Sequence, residues 1–142
     1  MIQPSDEEIA EFLSRACNIA VVGFSRDPSR PSRQIARYLK EAGYRIFPVN
    51  PALDGDVIFD QRVHASLAAI PEPIDIVNVF RRPEYVPAAA REALSISAPV
   101  FWMQSGIDHE EARALLTASG RRVVANRCIM VEHARLIAVN ES

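Results

Sequence analysis

Short apolar runs alternate with stretches of helical periodicity along this chain, and that alternation restricts its fold more than any other feature. The runs "NIAVVGF" (18–24), "RIFPVN" (45–50), "IDIVNVF" (74–80), "PVFWM" (99–103) and "VVAN" (123–126) are brief and rich in β-branched or aromatic residues. Strands buried on both faces read this way. Helical patterns fill the gaps. Ser5 precedes Glu8 by three residues in a capping box, and Ile9, Phe12, Leu13 and Ala16 follow at helical spacing. A second helix begins near Pro31 or Ser32, presents Ile35, Tyr38, Leu39 and Ala42 on one face, and stops at Gly43. A third starts at Pro83 with Val86, Ala89, Ala90, Ala93 and Leu94 as its apolar stripe. A fourth opens on "DHEE" (108–111), read as another capping box, with Ala112, Leu115, Leu116 and Ser119 inward and Gly120 as its stop. The weaker segment 57–71 predicts a short edge strand over 57–59 and one helical turn before Pro71.

Strands separated by helices of this length imply βαβ units, hence a parallel sheet. Right-handed crossovers then leave an α/β, Rossmann-like, doubly wound architecture. The expectation is a mainly parallel sheet of five to six strands in a three-layer fold. The strand from Asn18 is placed at its centre, and the chain reverses direction between that strand and the one at Ile74. With 142 residues and no repeat or linker, one domain over 1–142 is expected, comprising a helix at about 5–16 and a core at about 17–136.

Charge and cysteine usage narrow the function classes. The net charge of -2 argues against a nucleic-acid partner, and no apolar run approaches the roughly 20 residues of a membrane span. The acidic, amphipathic start resembles no targeting leader, so a cytoplasmic location is expected. Cys17 and Cys128 show no metal-ligand spacing and read as a reduced pair, with no metal site. Lys40 is the only lysine. The remaining basic residues are arginines, whose planar fork suits phosphate oxygens.

Ligands of open parallel sheets bind beyond the carboxyl ends of the strands, where the strand order reverses. Polar and small residues collect there: Gly23, Phe24 and Ser25, then "RDPSRPS" with Arg26, Arg30, Pro31, Ser32 and Arg33; Asn50 and Pro51; Phe80, Arg81 and Arg82; Gln104 and Gly106; and "NRC" (126–128). Helix N-termini near Ser32 and Glu84 favour an anion at the same edge. A phosphate-bearing ligand follows. The Gly-x-Gly-x-x-Gly pattern stops after Gly23, and the second strand ends in Asn50-Pro51 without a carboxylate, so NAD is disfavoured. A P-loop is excluded, because no Gly-Lys-Ser/Thr occurs.

"VVGFSRDPSRPS", "PVNP", "FRRP", "FWMQSGI" and "NRC", taken in this order, resemble the small stand-alone CoA-binding proteins, the YccU-like CoA-binding domain family. The resemblance covers about residues 17–136 and extends to the CoA-binding part of the succinyl-CoA synthetase α-subunit. It implies a cradle for coenzyme A. Gly23, Phe24 and Ser25 would meet the pyrophosphate, Arg30, Pro31 and Ser32 the phosphates, and Asn50 and Pro51 the adenosine. Phe80, Arg81 and Arg82 would close the opposite side, with Gln104 and Gly106 near the pantetheine. The 3′-phosphate of CoA also accounts for the missing acidic residue, which would repel it. The segment 54–66 departs from the family pattern, so its contacts are left open.

Simpler readings stand beside these. Gly23 and Ser25 could form a plain turn, and Arg81 and Arg82 could be solvated surface. Trp102 reads as core or pocket wall rather than a stacking platform. His64, His109 and His133 are scattered and suggest no catalytic pair. Cys128 could form a mixed disulfide with a thiol ligand, although an inert buried thiol is favoured. The leading expectation is a binder of CoA or an acyl-CoA, acting as carrier, sensor or regulator without catalysis of its own. The alternatives are an NADP-dependent oxidoreductase-type domain, lacking a legible proton relay, and an interaction protein that has lost its ligand. A homodimer is an open expectation.

Overall fold

A computed structural model describes residues 3–138. The elements run α1 (Asp6–Arg15), β1 (Asn18–Val22), α2 (Pro31–Glu41), β2 (Arg45–Val49), β3 (Val57–Ile58), β4 (Gln61–Arg62), β5 (Ile76–Val79), α3 (Val86–Leu94), β6 (Val100–Met103), α4 (Glu110–Ala118), β7 (Arg122–Val124) and α5 (Ile129–His133). Five strands form a sheet in the order β2-β1-β5-β6-β7, and every pairing in it is parallel. The doubly wound expectation holds: the chain steps outward from β1 to β2, then returns to β5 and winds the other way. The middle strand is β5, with β1 beside it, so the placement of β1 at the centre is off by one strand.

Alternation within the strands supplies both helical layers with a core. Ala20, Val22, Val77, Val79, Phe101 and Met103 pack against Val86, Ala89 and Ala90 of α3 and Leu116 of α4. Ile19, Val21, Ile76, Val100 and Trp102 pack on the other face against Ile9 and Leu13 of α1, Ile35 and Leu39 of α2 and Ile129 of α5. No helix of the described residues is long and apolar enough to cross a membrane.

Three local expectations are corrected. The 57–59 segment is no edge strand of the main sheet: β3 pairs antiparallel with β4 in a separate hairpin, turning at Phe59 and Asp60 with φ of 55° and 60°. The backbone that follows β2 instead comes from Val63–His64, with the His64 amide donating to the Pro48 carbonyl at 3.0 Å. At α4 the N-cap is His109, whose Nδ1 accepts from the Ala112 amide at 3.2 Å, while Asp108 is taken up by Arg113 at 2.6 Å. Leu115, expected inward, is 43 % exposed, because the α4 face is set by Ala112 and Leu116.

The capping box at Ser5 and Glu8 is present. Helix α1 is tied to the far end of the chain, with Arg135 bonded to both Asp6 carboxylate oxygens at 2.8 Å. The bond from Arg135 holds the Asp6 carboxyl below its ordinary range. A depressed carboxyl contributes stability that is present above the unfolded-state value and lost as pH falls through the folded one. Asp6→Asn is therefore expected to unfold at lower urea than the parent at pH 7. The gap should close as pH drops below the carboxylate range, and a gap that widens in acid would contradict the assignment.

Candidate functional site

Gly23 is the pivot of the switch point. It follows β1 with φ +83°, and a Cβ built on it would lie 2.9 Å from both the Phe80 carbonyl oxygen and Arg81 Cδ. The chain leaving β1 and the chain leaving β5 thus touch where only glycine fits. The space a side chain would need is filled by the protein's own backbone. The Gly23 and Phe24 amides both donate to the Val49 carbonyl, at 3.1 and 3.3 Å, drawing in the end of β2. Asn50 completes this knot: its Nδ2 donates to the Phe24 carbonyl at 2.7 Å and its Oδ1 accepts from the Ala52 amide at 2.9 Å. Its amide shapes the rim.

The loop after β1 folds back on α2 through polar contacts. The Ser25 amide donates to Ser32 Oγ at 2.9 Å, and Ser25 Oγ accepts from the Asp27 amide at 3.1 Å. The Asp27 carboxylate accepts from the Ser29 amide at 2.9 Å and its hydroxyl at 2.8 Å. Those two donors, with a smaller pull from Arg30, hold Asp27 below the ordinary carboxyl value. Pro31 occupies the first position of α2. The three loop arginines differ in their engagement. Arg26 pairs with Asp56, and Arg33 donates to the Arg26 carbonyl at 2.6 Å and lies 5.1 Å over the Phe59 ring. Arg30 enters no ion pair and no side-chain hydrogen bond among the described residues.

Together these pieces bound a cleft of about 1120 Å³ at the carboxyl ends of the strands. Of the residues expected at a ligand, Gly23, Phe24, Ser25, Arg30, Pro31, Ser32, Asn50, Phe80 and Gln104 line it. Pro51 and Arg81 do not. They face a separate depression of about 130 Å³, where Arg81 stacks 4.7 Å from the Tyr85 ring centroid. Arg82 and Gly106 line neither space. Gly106 has φ +81° inside a turn closed by the Ile107 amide on the Gln104 carbonyl at 2.9 Å. It therefore shapes a turn whose neighbours, Ser105 and Ile107, reach the cleft. Leu53 and Ile107 were missed as wall residues. The glycine at the third place of a tight turn was the available signal for Ile107.

Gln104 closes the floor. Only 5 % exposed, it accepts with Oε1 from Asn78 Nδ2 at 3.1 Å and from the Ile129 amide at 2.9 Å. Both bonds fall on its oxygen, which leaves the NH2 group to serve the cleft. Helix α5, unforeseen after "NRC", supplies one of those donors. Cys128 sits beside it on the wall as a free, half-buried thiol, so the favoured reading of a buried, inert cysteine is corrected in its burial. Trp102 is core: it is fully buried and donates to the Arg127 carbonyl at 2.8 Å. The histidines lie elsewhere, His133 within 2.9 Å of the Tyr38 hydroxyl and His109 capping α4. Among the described residues no cluster of His, Cys, Asp and Glu could hold a metal ion.

The sequence model of the CoA binding domain matches residues 17–134. The chain belongs to that family. The matched span contains every residue that lines the cleft of this CoA-binding domain. Its relatives include the "uncharacterized protein YneT" of Bacillus subtilis (strain 168), 47 % identical over 134 residues, which are 94 % of this chain and 98 % of that one. A Thermus thermophilus structure described as cell-free ID.343 superposes with a TM-score of 0.91 at 45 % identity, covering 94 % of this chain and 100 % of its own. A hypothetical protein from Pyrococcus horikoshii OT3 gives a TM-score of 0.90 at 35 % identity, over 94 % and 93 %.

Proposed function

We propose that this CoA-binding domain holds coenzyme A, free or acylated, in the sheet-end cleft and acts as a carrier, sensor or regulatory protein without chemistry of its own. The phosphates lie at the loop 25–32, and the pantetheine arm runs toward Gln104 and Cys128. The observation that carries this reading is the arrangement at the mouth of the cleft. The loop closes onto the start of α2 through the Ser25–Ser32 bond, while Arg30 keeps its donors free. A guanidinium with unused donors beside a helix N-terminus favours a phosphate oxygen over any neutral ligand. A cytoplasmic setting is part of the proposal, supported by the two unpaired cysteines.

A thermal-shift panel of CoA, dephospho-CoA, acetyl-CoA, NAD and NADP tests it. A ligand at a hundred times its Kd adds about 2.7 kcal/mol to the native state, which raises the melting temperature by roughly 8–10 °C in a domain of this size. CoA is expected to shift it more than dephospho-CoA does. A response to NADP alone would favour the oxidoreductase-type reading, and no response to CoA or acetyl-CoA would overturn the proposal.

A further inference from the structure

The hairpin β3–β4 is clamped to the loop that bounds the cleft. Its two-residue turn puts Phe59 and Asp60 at left-handed φ, a geometry usually filled by Asn and Gly and strained for phenylalanine. Three contacts offset that strain. The Phe59 ring meets Phe24 edge-on at 6.1 Å between centroids, Arg33 lies over its face, and Asp56 holds Arg26. Phe24 and Arg26 are also cleft residues. The hairpin therefore competes with the cleft for one of the arginines beside the ligand loop.

Resting on the CoA reading above, the geometry points to an exchange: a phosphate-bearing ligand draws Arg26 away from Asp56, so that filling the cleft loosens the hairpin. The pair is suited to this. Arg26 is 66 % and Asp56 37 % exposed, so solvent and salt weaken their attraction. A phosphate group offers the guanidinium fork more charge and more acceptor oxygens than one carboxylate. Once Arg26 leaves, only the contacts of the Phe59 ring with Phe24 and Arg33 oppose the strain of its turn. The coupling is reciprocal, so the clamped hairpin also holds the affinity for ligand down. Occupancy of a cleft on one edge of the sheet becomes a change on an outer surface, where Val57 is 73 % exposed. A sensor needs such a readout.

The test combines hydrogen exchange with one substitution. The Gly55 amide donates to the Val63 carbonyl at 3.0 Å and the Val63 amide to the Asp56 carbonyl at 2.8 Å, so these two amides report the hairpin base. Saturating CoA is expected to speed their exchange several-fold in the parent protein. Asp56→Asn should exchange fast without ligand and bind CoA about twofold to fivefold more tightly, the gain expected from freeing an exposed pair. Exchange that slows or stays unchanged in a parent protein showing its normal CoA thermal shift overturns the exchange alone, as does an Asp56→Asn protein that binds no tighter. Absence of any thermal shift with CoA overturns the ligand reading and the exchange with it.

Discussion

Gly23→Ala is expected to lower the melting temperature by roughly 6–15 °C. Two costs combine. An L-residue at φ +83° sits in the left-handed region, worth about 1–2 kcal/mol. The new methyl would also lie 2.9 Å from the Phe80 carbonyl oxygen, in backbone that has no rotamer to change. Overpacking of that kind adds about 1–3 kcal/mol, and each kcal/mol moves the midpoint by about 3 °C in a chain of this length. Gly120→Ala separates the two terms, because Gly120 has nearly the same φ, +86°, with nothing within 4 Å. It should show the strain alone. Equal melting temperatures for the two variants would mean that the β1 and β5 crossovers do not touch as described. The damage reaches the cleft as well, since pushing Phe80 outward moves a wall residue. Gly23→Ala should therefore also lose most of its thermal response to CoA.

That same contact shows what the amino-acid pattern could and could not reveal. The central strands were legible because burial on both faces demands uninterrupted apolar runs, and 18–22 is buried at every position. Gly23 was legible as a required glycine, but its physical reason was not. The pattern suggested room for a ligand, whereas the space holds the backbone after β5, a neighbour distant in sequence. Arg81 and Arg82 illustrate the limit further. Sequence order places both at the strand end, yet the direction of each side chain depends on the turn at Pro83–Tyr85, which aims Arg81 at Tyr85 instead of the cleft. The hairpin was opaque for another reason. It is two residues per strand, too short for a period, and its turn carries Phe59-Asp60 in place of the usual Asn-Gly signal. Asp108 misled because two acceptors stood side by side, and His109 took the cap. Helix α5 is five residues long and gives no repeat to detect.

Arg30→Ala is expected to weaken CoA binding by roughly tenfold to a hundredfold with little change in folding stability. A hydrogen bond to a charged group contributes about 1.5–3 kcal/mol, which sets the lower and upper ends of that range. Stability should stay within about 0.5 kcal/mol, because the side chain is exposed and holds no other part of the described chain together. Few positions separate the two effects so cleanly. Ser32 carries the loop-closing bond and Asn50 the rim, so substitutions there would confound binding with folding. Arg82→Ala is the matched control, removing an arginine from the same sheet edge that lines neither space, and it should bind CoA as the parent does. Calorimetry with CoA and dephospho-CoA then locates the charge that Arg30 meets. If its partner is the 3′-phosphate, Arg30→Ala should bind the two ligands alike while the parent prefers CoA. If the preference survives at lower overall affinity, Arg30 holds the pyrophosphate, and the 3′-phosphate falls to Arg26 once Asp56 has released it. An unchanged Kd for CoA in Arg30→Ala would remove the observation on which the cleft's assignment rests.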